Sequence, residues 1–168
     1  MLNISPGGAL GLAVLLFLVD VRHLPALISA ALIHELGHIA ALKLCRSELL
    51  ELRLEFFGLC LVTTAPTSRA LEAFCALSGP AAGILWALAA HSIAPLSSAF
   101  SLLLSAYNML PALPLDGGRA LLALSGKSRL LKFTGALSAI AALLLALWAP
   151  LPMLLFPAFW LWLEAFRA

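Results

Sequence analysis

Charged side chains are scarce in this chain: they make up 11% of its 168 residues, and no long polar tract is present. Residues of the hydrophobic set make up 63%, and the mean hydropathy is +1.07. A soluble fold of this length could not bury so much apolar surface. The scarcity of charge therefore excludes a soluble globular domain and indicates an integral membrane protein.

Cysteine is also rare, and the net charge is small. Cys45, Cys60 and Cys75 are an odd number of thiols without closely spaced pairs, which suits neither a disulfide framework nor a thiolate zinc site. We expect them to be small apolar fillers. The formal net charge of +2 gives no reason to expect nucleic-acid binding.

Apolar stretches recur along the whole chain, which disfavours a cleaved leader followed by a soluble domain. A helix needs about 20 mostly apolar residues to cross a hydrocarbon core about 30 Å thick. This criterion predicts about six spans, at residues 7–21, 24–44, 69–90, 96–113, 130–148 and 151–166. The predicted fold class is therefore an all-α polytopic membrane protein. Residues 1–168 are expected to form a single domain, with a core at about 24–124 and an additional helix pair at about 130–166.

The segment between the second and third spans has a different pattern. Residues 51–56 alternate polar and apolar side chains, which is the period of a strand. Gly58 then allows a turn into the sequence LCLVTT, so residues 48–64 are predicted to form a β-hairpin. An open sheet edge cannot face lipid, so we expect the hairpin at the membrane interface or covered by protein around a cavity. A simple interfacial loop is the alternative.

The basic residues predict an orientation. With six spans, nine of the ten Lys and Arg residues fall on one side of the membrane, and only Arg22 falls on the other. Because cytoplasmic loops are enriched in Lys and Arg, both termini and the hairpin are expected in the cytoplasm.

The second span contains the sequence HELGH in its middle. His34 and His38 are four residues apart, so on a helix they share one face and two imidazoles can reach one metal ion. Glu35 lies beside them in the position of a general base, which is the arrangement that zinc proteases use. The alternative is a cluster of helix-packing or hydrogen-bonded polar residues. Ionisable residues inside a membrane span are costly and usually mark function, which favours the metal site.

A third metal ligand must come from elsewhere, because a catalytic zinc site usually has three protein ligands. Asp116 follows Pro111 and Pro114 and precedes two glycines, so the fourth span is predicted to break at this aspartate. A broken helix at membrane depth is tolerated where it lines a cavity. The alternative is a turn aspartate that caps the helix beginning near Gly118.

Together, HELGH and the later sequence NMLPALPLDGG resemble the two signature elements of the site-2 protease family of intramembrane metalloproteases. The resemblance covers about residues 24–124 and includes the hairpin and the Ser78–Pro80 sequence SGP. The span count and the early first motif look most like the branch of the stage IV sporulation protein FB. The chain lacks the peptide-binding and nucleotide-sensing domains of some relatives, so we expect a minimal core, either whole or cut down from a longer chain.

The resemblance implies roles for individual residues. His34, His38 and Asp116 would bind Zn²⁺, and Glu35 would be the general base. Asn108 would lie near the active site and help to hold the scissile carbonyl or its oxyanion; a hydrogen bond between helices is its alternative role. Family members often carry an asparagine three residues after the glycine-proline of the third span, and here that position is Gly83. Any role of that asparagine is therefore absent or moved in this chain.

The expected function is an intramembrane zinc metalloprotease that cuts a membrane-associated or single-span substrate near the cytoplasmic face, in a regulatory pathway such as sporulation or transcription-factor activation. The expected location is the bacterial cytoplasmic membrane. The expected partners are a membrane-protein substrate and the lipid bilayer, with a regulatory membrane partner or a homo-oligomer left open. The alternative is a zinc-binding membrane protein that holds or regulates clients without cutting them. A metal transporter is disfavoured because no internal repeat is present.

Overall fold

The computed structural model describes residues 2–47, 49–55, 58–64, 68–126, 129, 131–138 and 140. Its elements in chain order are β1 (Leu2–Ile4), α1 (Pro6–Leu18), α2 (Leu24–Leu44), β2 (Leu49–Glu55), β3 (Gly58–Thr63), α3 (Arg69–Ala90), α4 (Pro95–Asn108) and α5 (Asp116–Ser125). Residues 131–138 are helical as well. The described part of the chain is therefore mostly helical, with one small sheet.

Helices α2 and α3 have the bounds predicted for the second and third spans, and both are long and apolar enough to cross a membrane. Pro25 lies in the first turn of α2, where its missing N–H costs no helical hydrogen bond. Ser68 caps α3 by accepting a hydrogen bond from the N–H of Leu71 at 3.3 Å. Because α3 packs against α2, α4 and α5, it is central among the described helices.

The first and fourth helices are shorter than the predicted spans. Helix α1 has 13 residues and α4 has 14, so each rises only about 20 Å. Helix α4 ends at Asn108 because Pro111 cannot donate the next helical hydrogen bonds and restricts the residue before it. Within the described residues, only α2 and α3 have the length of a full span. Most of the fifth predicted span and all of the sixth lie outside the described residues, so the count of six stays a prediction.

The predicted β-hairpin is present. Strands β2 and β3 are antiparallel, with Leu52 opposite Leu61 and Gly58 opposite Glu55 at the start of β3. The all-α class needs one further correction, because β1 pairs in parallel with β2 and makes a three-stranded sheet in the order β1-β2-β3. A strand of three residues is too short to show alternation, so no pattern in the sequence predicted it.

Side chains also join β1 to β2. Arg53 pairs with the Glu51 carboxylate at 2.9 Å, and the Asn3 amide donates to the same carboxylate at 3.0 Å. The contact with Arg53, and to a smaller extent that with Asn3, holds the pKa of Glu51 below its usual value. Strand β2 lies at the centre of the sheet because it pairs with both β1 and β3, and among the described strands none pairs with the outer edge of β3.

The bundle interior is built from small residues. The buried apolar side chains are mostly alanine, and buried serines accompany them on α4. Large apolar side chains face outward instead, with Phe17 89% exposed and Ile93 82% exposed. Small residues let membrane helices approach closely, while lipid solvates leucine and phenylalanine as well as a protein core does. This inverted distribution, with the two long apolar helices, indicates a membrane protein.

Candidate metal centre

The two histidines of α2 face the inside of the bundle. His34 and His38 are both buried, and their ring centroids lie 4.9 Å apart. Their separation by four residues places them on one helical face, as the sequence predicts. The packing of α3 against α2 covers that face.

Asp116 approaches the histidines from α5, 82 residues after His34 in the sequence. It is the first residue of α5, and Leu115 occupies the N-cap position. The aspartate therefore does not cap the helix, contrary to the alternative drawn from turn chemistry. Its Oδ2 atom lies 3.1 Å from Nε2 of His34 and 3.2 Å from Nε2 of His38.

The two glycines after Asp116 make this approach possible because they have no side chain and can pack directly against neighbouring backbone. A Cβ at Gly117 would lie 2.3 Å from the carbonyl oxygen of Met109, and one at Gly118 would lie 2.4 Å from the carbonyl oxygen of Ala112. The glycines thus let the start of α5 lie against the irregular backbone after α4. Their role is close approach, since neither has the positive φ that would require glycine for backbone freedom.

The three donor atoms are arranged to bind a metal ion rather than to form hydrogen bonds with one another. Nε2 of His34 and Nε2 of His38 are 3.3 Å apart, and both face the same carboxylate oxygen. Nδ1 of His38 lies 2.8 Å from the carbonyl oxygen of Cys75, which can only accept, so Nδ1 carries the proton and Nε2 of the neutral ring presents a lone pair. Two nitrogens and one oxygen that converge in this way suit a cation and match a three-ligand zinc site with an open fourth position. His34, His38 and Asp116 could therefore hold a metal ion.

The two histidines are anchored differently. The Cys75 carbonyl fixes the ring orientation of His38, which is how histidine ligands are commonly oriented. Nδ1 of His34 is buried and has no hydrogen-bond partner among the described residues. The carbonyl anchor was not foreseen, because a backbone acceptor leaves no signal in the sequence.

Gly79 is a further residue of the site that sequence reasoning missed. A Cβ at this position would lie 2.1 Å from Nε2 of His38 and 2.6 Å from two ring carbons. Since the whole imidazole occupies that space, α3 needs glycine here. The SGP sequence was the available signal, but it was noted only as part of the family resemblance.

Glu35 and Arg119 lie at the edge of the site. Glu35 is half-buried and follows His34 directly on α2. Nη1 of Arg119 is 3.8 Å from Oδ1 of Asp116, the carboxylate oxygen that does not face the histidines. The Arg119 side chain also lines a cavity, together with His38, Leu42, Thr63 and Cys75. The cavity is small, with a volume of about 20 Å³, and its lining includes both His38 of the metal centre and Thr63, the last residue of β3.

Asn108 and Gly83 lie on the helices next to the site. Asn108 is the last residue of α4, and its Nδ2 donates to the Leu104 carbonyl within the same helix at 3.0 Å. At Gly83, a Cβ would lie 2.2 Å from Oγ of Ser105. The Ser101 hydroxyl donates to the Gly83 carbonyl at 3.0 Å. Serines of α4 therefore fill the space that a side chain at position 83 would need.

The fold has a solved counterpart. The chain is similar in structure to the Site-2 Protease from Methanocaldococcus jannaschii, with a TM-score of 0.73 and 21% sequence identity over 99% of this chain and 89% of that one. No protein-family model matches the chain, and no curated protein matches it in sequence. At this identity the likeness establishes a shared fold. It agrees with the family resemblance drawn from the two motifs but does not address the stage IV sporulation branch.

Proposed function

We propose that the protein is an intramembrane zinc metalloprotease. The observation that carries the proposal is the convergence of His34, His38 and Asp116 inside an apolar bundle, with Glu35 beside them. The fold shared with a site-2 protease supports the same reaction class. A buried group of three ligands needs no glutamate beside it merely to bind zinc, so the presence of Glu35 favours a hydrolase over a zinc-binding protein that does not cut.

Each residue of the proposed active site has a separate role in peptide hydrolysis. His34, His38 and Asp116 would hold the zinc ion, which when bound lowers the pKa of water and polarises a carbonyl. Glu35 accepts a proton from the attacking water and returns it to the leaving amine. We assign to Asn108 the donation of a hydrogen bond to the scissile carbonyl or its oxyanion. Its amide has two N–H groups, and the bond to the Leu104 carbonyl uses only one of them.

The substrate is a membrane-associated or single-span protein that must unwind locally. Carbonyls in a helix are hydrogen-bonded and shielded, so attack needs an extended segment. The outer edge of β3 is suited to bind such a segment as an added strand. Thr63 at the end of β3 and His38 line the same cavity, so a strand paired there would lead towards the metal centre.

Proline substitutions in β3 test this substrate path. Strand β2 is paired on both sides, so proline at Leu52 or Leu54 would break the sheet itself, whereas β3 has an outer edge. Successive N–H groups of a strand point to opposite edges. Of Leu61→Pro and Val62→Pro, one therefore removes a donor towards β2 and the other a donor towards the substrate. We expect the variant that loses the N–H group facing the substrate to lower kcat/KM for a membrane substrate about three- to tenfold, which is the effect of losing one or two hydrogen bonds. Its zinc content should be unchanged.

The alanine variants Leu61→Ala and Val62→Ala retain both N–H groups and serve as controls. Cleavage by both proline variants at the rate of their alanine controls would show that substrate does not pair with β3.

The setting of the reaction follows from the basic residues and from the family resemblance. We place hydrolysis near the cytoplasmic face of a bacterial cytoplasmic membrane, with both termini in the cytoplasm. The single domain acts on a signalling protein, in sporulation or in the release of a transcription factor, as in the stage IV sporulation branch. A regulatory membrane partner or a second copy of the chain controls access to the site.

Zinc removal tests the proposed function. The protein, purified and reconstituted in lipid vesicles, is expected to cleave single-span reporter substrates, to lose this activity on chelation and to regain it when zinc is added back. Mass spectrometry of the products locates the cut. If no reporter of a varied panel is cleaved while zinc is bound in a one-to-one ratio, the non-cutting zinc protein becomes the better description.

A further inference from the structure

Two thiols lie in contact beside the metal centre. Cys45 follows the last residue of α2, and Cys75 belongs to α3. The Cys75 Sγ donates to the Cys45 Sγ at 3.4 Å, which brings together two residues 30 positions apart. Both cysteines pack with Ala41 and Leu42 in an apolar cluster, as expected of small apolar fillers. Their contact with each other was not predicted, because spacing along the chain does not reveal which segments meet.

We propose that Cys45 and Cys75 form an oxidation site, at which a hydroperoxide converts the two thiols to a disulfide. A disulfide needs a sulfur separation of about 2.05 Å, so the two atoms must approach by more than 1 Å. Cys45 is partly exposed and Cys75 is buried with one side on the cavity. The pair thus combines an accessible thiol with a neighbouring thiol that can resolve its oxidised form.

The reaction balances with a hydroperoxide as the oxidant. The Cys45 thiol loses its proton and the thiolate attacks the terminal peroxide oxygen. The O–O bond breaks, the leaving oxygen takes up that proton, and a sulfenic acid and an alcohol or water result. The Cys75 sulfur then attacks the Cys45 sulfur and the S–O bond breaks. The hydroxyl group leaves as water with the proton of the Cys75 thiol, and the disulfide forms. Two thiols lose two electrons in total, and the peroxide gains them. A thiol reductant reverses the change.

Oxidation at this pair acts on the metal centre through the backbone of Cys75. The Cys75 carbonyl accepts hydrogen bonds from Nδ1 of His38 at 2.8 Å and from the Ser78 hydroxyl at 2.7 Å. Drawing the Cys75 sulfur towards Cys45 moves the residue that orients His38. Loss of such an outer contact lowers metal affinity about 10- to 100-fold. This consequence rests on the proposed zinc site, whereas disulfide formation does not.

The experiment uses the whole chain in lipid vesicles, treated with hydrogen peroxide or left untreated. Remaining thiols are alkylated, the protein is digested, and peptides are identified by mass spectrometry. Zinc affinity is measured in parallel by competition with a chromophoric chelator. We expect a peptide pair joined through Cys45 and Cys75, a zinc affinity at least about tenfold weaker, and reversal of both by dithiothreitol.

Three variants separate the outcomes. Cys60→Ser should still form the cross-link between Cys45 and Cys75, while Cys45→Ser and Cys75→Ser should each abolish it. Cys45 lies at a partly exposed helix end, so its variant serves if the buried position does not accept serine. Peroxide treatment that yields only a sulfinic acid at Cys45, or no change, overturns the oxidation site. A disulfide with unaltered zinc affinity overturns its link to His38. Neither readout depends on proteolysis, so a protein without protease activity would leave this test intact.

Discussion

Replacing Glu35 with glutamine is expected to abolish peptide hydrolysis while leaving zinc binding intact. Glutamine keeps the size and polarity of the side chain but cannot accept a proton, and general acid-base catalysis contributes about 100- to 10,000-fold to a rate. The three metal ligands are other residues, so one zinc per chain should remain. The measurement is cleavage of a reconstituted single-span substrate together with the zinc content of the same sample.

Glu72→Gln is the matched control for this change. Glu72 is an exposed glutamate in the first turn of α3, so its replacement removes the same charge away from the metal ligands. The control should cleave at the native rate. Native cleavage by Glu35→Gln would refute the assigned mechanism, and loss of zinc in that variant would show that Glu35 supports the site instead of the chemistry.

A single methyl group at Gly79 is expected to disrupt the metal centre. In Gly79→Ala, the new Cβ would occupy space within 2.1 Å of Nε2 of His38, so either the imidazole leaves its position or α3 moves away from α2. The nitrogen that would be displaced is the proposed zinc ligand. We expect zinc affinity to fall by at least about 100-fold, beyond the usual effect of an outer contact, and cleavage to fall with it.

Gly83→Ala is the matched control for Gly79→Ala, because Gly83 is also a buried glycine of α3, one helical turn further along. The new Cβ would meet the Ser105 hydroxyl at 2.2 Å, and a serine side chain can rotate away where an imidazole ring held by Cys75 cannot. Zinc titration of both variants gives the comparison. Equal zinc affinities would show that the space beside His38 is not required for metal binding.

The sequence predicted the parts of the molecule that rest on local pattern and composition. The bounds of α2 and α3 follow from the length of apolar runs, and the hairpin follows from alternation between residues 51 and 56. Asp116 could be chosen because a carboxylate between prolines and glycines is unusual in an apolar chain. In each case a few neighbouring residues carry the information.

The parts that were missed depend on contacts between distant segments. The approach of Gly79 to His38 and the meeting of Cys45 with Cys75 arise only when α2 and α3 pack together. The parallel pairing of β1 joins strands about 50 residues apart, with Leu2 opposite Leu52. No periodicity within one segment encodes such contacts, so they could be identified only in the folded structure.

The placement of Asp116 against His34 has a topological consequence. The two residues are 82 positions apart, so an ion bound by both closes a loop that contains β2, β3, α3 and α4. The bound ion therefore links two segments of the folded protein that are distant along the chain. Any ligand that binds only the folded state also stabilises it, by about 2.7 kcal/mol when present at 100 times its dissociation constant. The ion that serves hydrolysis would thus also tie the two halves of the bundle together.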